Sequence, residues 1–348
     1  LFQGNNKIIS NGKLIVGPDY YMAIITFFAI LIPAILFYSI PIPWLISKVS
    51  TSYYAVLGVF IPLNIAVFAL LFKASTSDPG IIPRNSSAPP DVNSNTISSA
   101  RHPRTKEAEV NGVKIKVKYC ETCRVWRPPR ASHCSTCNNC VERFDHHCPY
   151  LGNCVGRRNY RAFYWFVLCV QTCAAMCIAI GIVHLVKASD YYEAKNGTDR
   201  GGFGDAMTES AAAGSLIMIV WALVGWAFTF ALVAFHVFLI WTNRTTAESL
   251  KQTWEGKEPY PQKGPRNFKE LLCGRKPPSR IRENYGGPPL TDQYTTIYDE
   301  AMGDAMANDP ARDPARDPAR DPARDPARDP ARDPARDPAR DPVKKPAS

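Results

Sequence analysis

Four long stretches without a charged residue decide most of what this chain can become. They run over Tyr20–Ile40, Tyr53–Phe72, Ala162–Val186 and Ala211–Trp241. A membrane-crossing helix needs about 20 apolar residues, so each stretch predicts one span. Pro33 marks an expected kink in the first. The fourth is long enough to tilt in the bilayer. Ahead of them, Asn5–Asp19 is polar, and LFQG at residues 1–4 reads as the scar of a tag-removal protease site. The first apolar run is too long for the core of a signal peptide, so no cleavable signal is expected.

Positive charge sets the expected orientation. Fifteen Lys and Arg residues lie between Lys73 and Arg161, in the loop joining the second and third spans. The loop between the third and fourth spans holds Asp190, Glu193, Asp199, Asp205 and Glu209, with an NGT glycosylation triplet at Asn196–Thr198. The basic loop and both termini are therefore expected in the cytosol. A net charge of +10 suits anionic lipid or a phosphate-bearing ligand; with four spans present, no nucleic-acid partner is expected.

Seven of the eleven cysteines fall between Cys120 and Cys154, in that basic loop. A reducing compartment disfavours disulfides and favours zinc thiolates. Cys120-x2-Cys123 and Cys134-x2-Cys137 have zinc-knuckle spacing, and Cys140, Cys148, Cys154, His133, His146 and His147 bring the candidate ligands to ten. The surrounding segment has few aliphatic residues, so metal is the plausible staple. Two closed tetrahedral sites use eight ligands and leave one Cys and one His. Beside Asp145, in the run DHHC, such a pair is the material of an activated thiolate. The arithmetic alone does not choose which Cys is left over, and it also permits two idle ligands.

The remaining features read plainly. Cys169, Cys173 and Cys177 fall on one face of the third span as small packing residues, and His184 and His236 as interhelical hydrogen bonders. Cys273 reads as a packing residue close to the membrane. The polar, proline-rich stretch Asn85–Pro103 is a linker. The DPAR repeat from Asp309 is a spacer that cannot form a helix, with a proline at every fourth position.

The segment YCETCRVWRPPRASHCSTCNNCVERFDHHCPYLGNCVGRRNYRAFYWF resembles the cysteine-rich domain of DHHC protein S-acyltransferases nearly position for position. DPG at Asp78–Gly80, TTAE at Thr245–Glu248 and NFKELLCG at Asn267–Gly274 agree, so the resemblance covers roughly residues 20–274. IKVKYC, RPPRASHC, CVERFDHHC and SDPGIIPR are most similar to the family's Ras-directed fungal branch, whose catalytic subunits work with a small accessory subunit. The resemblance implies an all-α polytopic membrane protein, with a small cytosolic two-zinc domain between helices 2 and 3. It implies one zinc on Cys120, Cys123, His133 and Cys140 and another on Cys134, Cys137, His147 and Cys154. It makes Cys148 the nucleophile, His146 the base and Asp145 its orienter, with Thr246 holding Asp145 and Asn267 tying in the C-terminal motif. Tyr150 stands where many members have Trp; it keeps an aromatic wall for an acyl chain and adds a hydroxyl. Arg127 and Arg130 are candidates for CoA phosphates.

The expected organisation is an N-terminal segment (1–19), helices 1–2 (20–73), a linker (74–117) and the zinc domain (118–160). Helices 3–4 (161–242), a C-terminal region (243–308) and the DPAR tail (309–348) follow. The expected function is palmitoyl transfer from acyl-CoA to cysteines of membrane-associated proteins such as Ras, at the endoplasmic reticulum or Golgi. An inactive zinc-stapled membrane scaffold is the alternative. A metallohydrolase would need an open zinc position, which two closed sites do not offer.

Overall fold

All four charge-free runs are helical in the computed structural model, which describes residues 4–89, 92, 103–196, 202–209, 211–253, 258–260 and 262–283. Most of the linker over 85–103, part of the NGT triplet and the whole DPAR tail lie outside these residues. The described residues belong to one compact unit.

A short hairpin of β1 (Lys7–Ile9) and β2 (Leu14–Val16) precedes α1 (Tyr20–Ser39). Its turn places Ser10, Asn11 and Gly12 at positive φ. Helix α1 continues through Pro33 and ends before Ile40, and α2 (Pro41–Lys48) follows. Proline fits that first helical position, whose N–H would have no partner inside the helix. Next come α3 (Tyr54–Thr76), α4 (Tyr160–Asn196), α5 (Gly202–Glu209) and α6 (Ala212–Trp241). Four of these helical stretches are long and apolar enough to cross a membrane. They are apolar on every face: Ile65 is 65% exposed and Val224 71%, as lipid-facing positions should be.

Packing inside the bundle relies on small and polar residues because lipid removes the hydrophobic drive. Gly181 lets α6 approach α4 so closely that a Cβ there would lie 2.7 Å from Ile219 Cγ1. Phe37 stacks on Phe60 with ring centroids 3.8 Å apart. His184 Nδ1 lies 2.8 Å from Ser215 Oγ, and His236 Nδ1 lies 2.7 Å from the Tyr160 hydroxyl. Both histidines thus bond across helices. Cys173 and Cys177 are buried in the same core.

Between α3 and α4 the chain makes tight antiparallel hairpins. A three-stranded sheet joins β4 (Thr105–Val110), β5 (Val113–Cys120) and β6 (Val125–Trp126). A second joins β3 (Ile81–Ile82), β8 (Asn139–Val141) and β7 (Ser132–Cys134), and β9 (His146–Cys148) pairs with β10 (Asn153–Val155). These strands qualify an all-α description, although the fold remains mostly helical. Converging four ligands on one point favours hairpins, whose register sets side chains directly opposite each other. After α6 come α7 (Thr246–Leu250), α8 (Pro265–Phe268), a π-helical turn over Lys269–Cys273, and α9 (Arg280–Glu283).

Candidate active site and paired metal centres

Strand pairing assembles the ligands. His133 faces Cys140 across β7–β8, and His147 faces Cys154 across β9–β10. Two clusters result: Cys120, Cys123, His133 and Cys140, and Cys134, Cys137, His147 and Cys154. Either could hold a metal ion.

The distances fit zinc. With Zn–S near 2.3 Å and Zn–N near 2.05 Å, a tetrahedral S···N edge is about 3.6 Å. His133 Nδ1 lies 3.5, 3.5 and 3.8 Å from the sulfurs of Cys120, Cys123 and Cys140. His147 Nδ1 lies 3.7, 3.4 and 3.6 Å from those of Cys134, Cys137 and Cys154. Cys137 and Cys154 sulfurs are 3.5 Å apart. Both rings present Nδ1, and the four protein ligands leave no open position.

A period of two along β9 separates the metal from the chemistry. Alternate residues of a strand point to opposite faces, so His147 faces its cluster while His146 and Cys148 face away from it. Cys148 is 6% exposed and belongs to neither cluster. Its thiol lies on the same face of β9 as the His146 ring. His146 Nδ1 lies 2.7 Å from Asp145 Oδ2. Burial alone would lower the imidazole pKa, but the bond to Asp145 and the neighbouring Cys148 lift it to about 9. Burial would raise the Asp145 carboxyl, yet the bond and charge of His146 hold it below its ordinary value. With Nδ1 committed to the carboxylate, Nε2 is the nitrogen left to take a proton.

Asp145 is held in turn from the end of α6. Thr246 donates to it twice, backbone N to Oδ1 at 2.9 Å and Oγ1 to Oδ2 at 2.7 Å. The Ala247 N–H donates to the Asp145 carbonyl at 3.1 Å. Helix α7 starts on a capping box between Thr245 and Glu248. Asn267 donates to the Trp241 carbonyl at 2.9 Å, fastening the C-terminal motif to α6.

Glu248 also accepts from Arg130, at 2.8 Å from Nε and 2.7 Å from Nη2. Arg130 further donates to Asn243 and stacks on Tyr260, with its guanidinium 4.3 Å from the ring centroid. Its guanidinium is therefore engaged inside the fold. Replacing Glu248 by Ala would strand this buried charge and remove the cap. A loss of roughly 3–5 kcal/mol is expected, read as a lower thermal midpoint of the detergent-solubilised protein; an unchanged midpoint would mean that Arg130 finds another partner.

Arg127 lies nearby in a solvent-open recess of about 130 Å³, together with Lys116, Lys118 and Lys251. Burial, then Lys118 and Arg127, lower the Lys251 pKa, the mark of crowded positive charge. Arg127 Nε is buried without a hydrogen-bond partner among the described residues. Tyr150, half exposed, packs its ring on Phe228, with centroids 5.4 Å apart, while its carbonyl accepts from Thr26 of α1 at 2.8 Å.

Sequence reading missed three features. Lys251 joins the basic recess from α7, far along the chain. Asp78 accepts from Gly80 and Ile81 amides and from Ser279 at 2.5 Å, and pairs with the Arg158 guanidinium at 3.1 Å, clasping the C-terminal segment. Asp19 reaches a metal ligand. The signal for the recess was visible, since Lys114, Lys116 and Lys118 alternate along one strand.

A family model described as DHHC palmitoyltransferase matches residues 113–253. Protein S-acyltransferase 8 of Arabidopsis thaliana is 40% identical over 293 residues, covering 80% of this chain and 70% of that protein. Palmitoyltransferase ZDHHC14 of Homo sapiens is 36% identical over 312 residues, covering 83% of this chain; the chain spans 60% of the human protein's length.

Proposed function

The chain belongs to the DHHC palmitoyltransferase family, and on that premise we propose that it is a protein S-acyltransferase working through a Cys148 thioester. The observation that supports this reading best is the cysteine outside both metal clusters. It shares a face of β9 with an imidazole whose Nδ1 is bonded to a buried carboxylate.

The acyl donor is a fatty acyl-CoA. His146 takes the Cys148 thiol proton, and the thiolate attacks the thioester carbonyl carbon. The bond to the CoA sulfur breaks, and the CoA thiolate takes the proton back from His146. In the second half, a substrate cysteine gives its proton to His146 and attacks the Cys148 thioester, and the Cys148 thiolate leaves and is reprotonated. One thioester replaces another at each step, so no ATP is consumed. Asp145 keeps the ring oriented and stabilises its charged form. Two zinc ions held by the eight ligands would supply structure rather than chemistry, each site being closed.

The acyl chain lies in the bundle. Cys148 shares one buried cluster with Leu151, Phe163 and Val167, continuous with the span interior. Each buried methylene contributes roughly 0.8 kcal/mol, and Tyr150 walls the entrance. CoA phosphates take the basic recess, where Arg127 is joined by Lys116, Lys118 and Lys251. Each charge-assisted bond is worth about 1.5–3 kcal/mol. The double variant Arg127→Glu/Lys251→Glu should therefore raise KM for acyl-CoA on the order of tenfold or more with kcat retained. Steady-state kinetics check it, and an unmoved KM would place the phosphates elsewhere.

The basic side faces the cytosol by the charge asymmetry, in the endoplasmic reticulum or Golgi. Ras-like proteins are the substrates and a small accessory subunit the partner, on the strength of the Ras-directed resemblance. The direct test follows hydroxylamine-sensitive label from acyl-CoA onto the purified chain and then onto a thiol-bearing acceptor, with and without co-purified partner. A chain that never takes label would be the metal-stapled scaffold instead.

A further inference from the structure

Asp19 stands at the N-cap position of α1 but makes no side-chain capping bond. Aspartate there usually accepts from the first turn's amides. Here its carboxylate turns away: Oδ2 lies 3.1 Å from His147 Nε2. The opposite nitrogen of that ring, Nδ1, is the one that faces Cys134, Cys137 and Cys154. A histidine that ligates a metal through Nδ1 carries its proton on Nε2, so this contact is a hydrogen bond from ring to carboxylate.

The backbone around Asp19 is held from both sides. Gly152, at φ 61°, packs so tightly that a Cβ would collide with the Asp19 carbonyl. A Cβ on Gly17 would likewise collide with the Gly152 carbonyl. Preceding it, the β1–β2 hairpin lies over the same metal cluster. The Asn5 amide donates to the Cys137 carbonyl at 2.9 Å, and Asn153 Nδ2 donates to the Ile15 carbonyl at 3.1 Å. Ile15 is fully buried among Cys134, Cys137 and Cys154. The carboxylate is thus aimed by fixed backbone rather than meeting the ring by chance. The two sites differ here: among the described residues, His133 shows no carboxylate at Nε2.

We propose that Asp19 is a positioning residue for the second metal site. Its carboxylate accepts the His147 Nε2–H bond, fixes the tautomer that ligates through Nδ1, and ties the start of α1 to β9. Such partners orient metal-bound histidines, and their loss typically costs 10–100-fold in metal affinity. The proposal rests on the reading of both clusters as zinc sites. Because His147 sits between His146 and Cys148 in β9, the same bond steadies the strand that bears the nucleophile.

The test is zinc release from the purified full chain into a chromogenic chelator, without acyl donor, alongside thermal melting. In Asp19→Ala, one of the two zincs should leave about ten- to one-hundredfold faster while the other keeps its native rate. Asp19→Asn retains an acceptor oxygen and should recover most of the native behaviour. A generally loosened fold would release both zincs together and would not be rescued by Asn; either result overturns the proposal. So does native release from Asp19→Ala. A native protein that holds no zinc would sink the metal reading and this proposal with it. A native protein with two zincs, indifferent to Asp19→Ala, would sink this proposal alone.

Discussion

Cys148→Ala protein is expected to take no label from acyl-CoA while keeping both zincs and its thermal midpoint. The thiol forms the covalent bond, so nothing substitutes for it. Its removal should abolish acyl transfer, a loss greater than for the base: His146→Ala should cost roughly 100- to 10,000-fold. Cys148 lies outside both ligand clusters, so the Ala variant should fold normally, and that is what makes the comparison clean. Hydroxylamine-sensitive label persisting on Cys148→Ala would show that another cysteine is the acceptor and that the leftover cysteine was wrongly chosen.

Metal removal should have the other large effect. The region from β5 to β10 consists of short strands, and zinc-thiolate sites contribute roughly 10–16 kcal/mol each in small metal-dependent folds. Native protein should contain two zincs per chain by elemental analysis. His133→Ala should lose one of them, open the β5–β8 region to limited proteolysis and abolish acylation without touching the Cys148 side of β9. The membrane helices should survive, because α4 packs along both α3 and α6. A chelated protein that resists protease and still takes label would show that the hairpins stand without metal.

Much of this was legible because it was written in patterns with physical periods. Absence of charge over about 20 residues predicted the spans, and α1, α3, α4 and α6 occupy them. The ligand surplus pointed to paired closed sites, and the structure gathers the eight ligands into two clusters. What arithmetic left open, which Cys stands apart, is expressed by strand alternation in β9, where neighbours necessarily face opposite ways. TTAE carries a legible capping-box spacing, realised by Thr245 and Glu248. Other features had no local signal. Strands of three residues, as in β1 and β2, fall below any recognisable alternation, so the hairpin and Asp19 were read only as part of a polar N-terminal segment. Arg130 was read as a candidate for CoA phosphates because its partners Glu248 and Asn243 lie more than a hundred residues away. The end of α1 before Pro41 had its own signal in the proline that opens α2.

The interleaving of the ligand sets has a consequence for synthesis. As the chain emerges in order, Cys120, Cys123, His133, Cys134, Cys137 and Cys140 appear before His147 and Cys154. The first site is complete while the second still holds only half its ligands. Before Cys140 emerges, however, Cys134 and Cys137 can complete a wrong tetrahedron with Cys120 and Cys123. Metal captured that early can therefore sit in a mispaired nascent domain and has to exchange before both sites close.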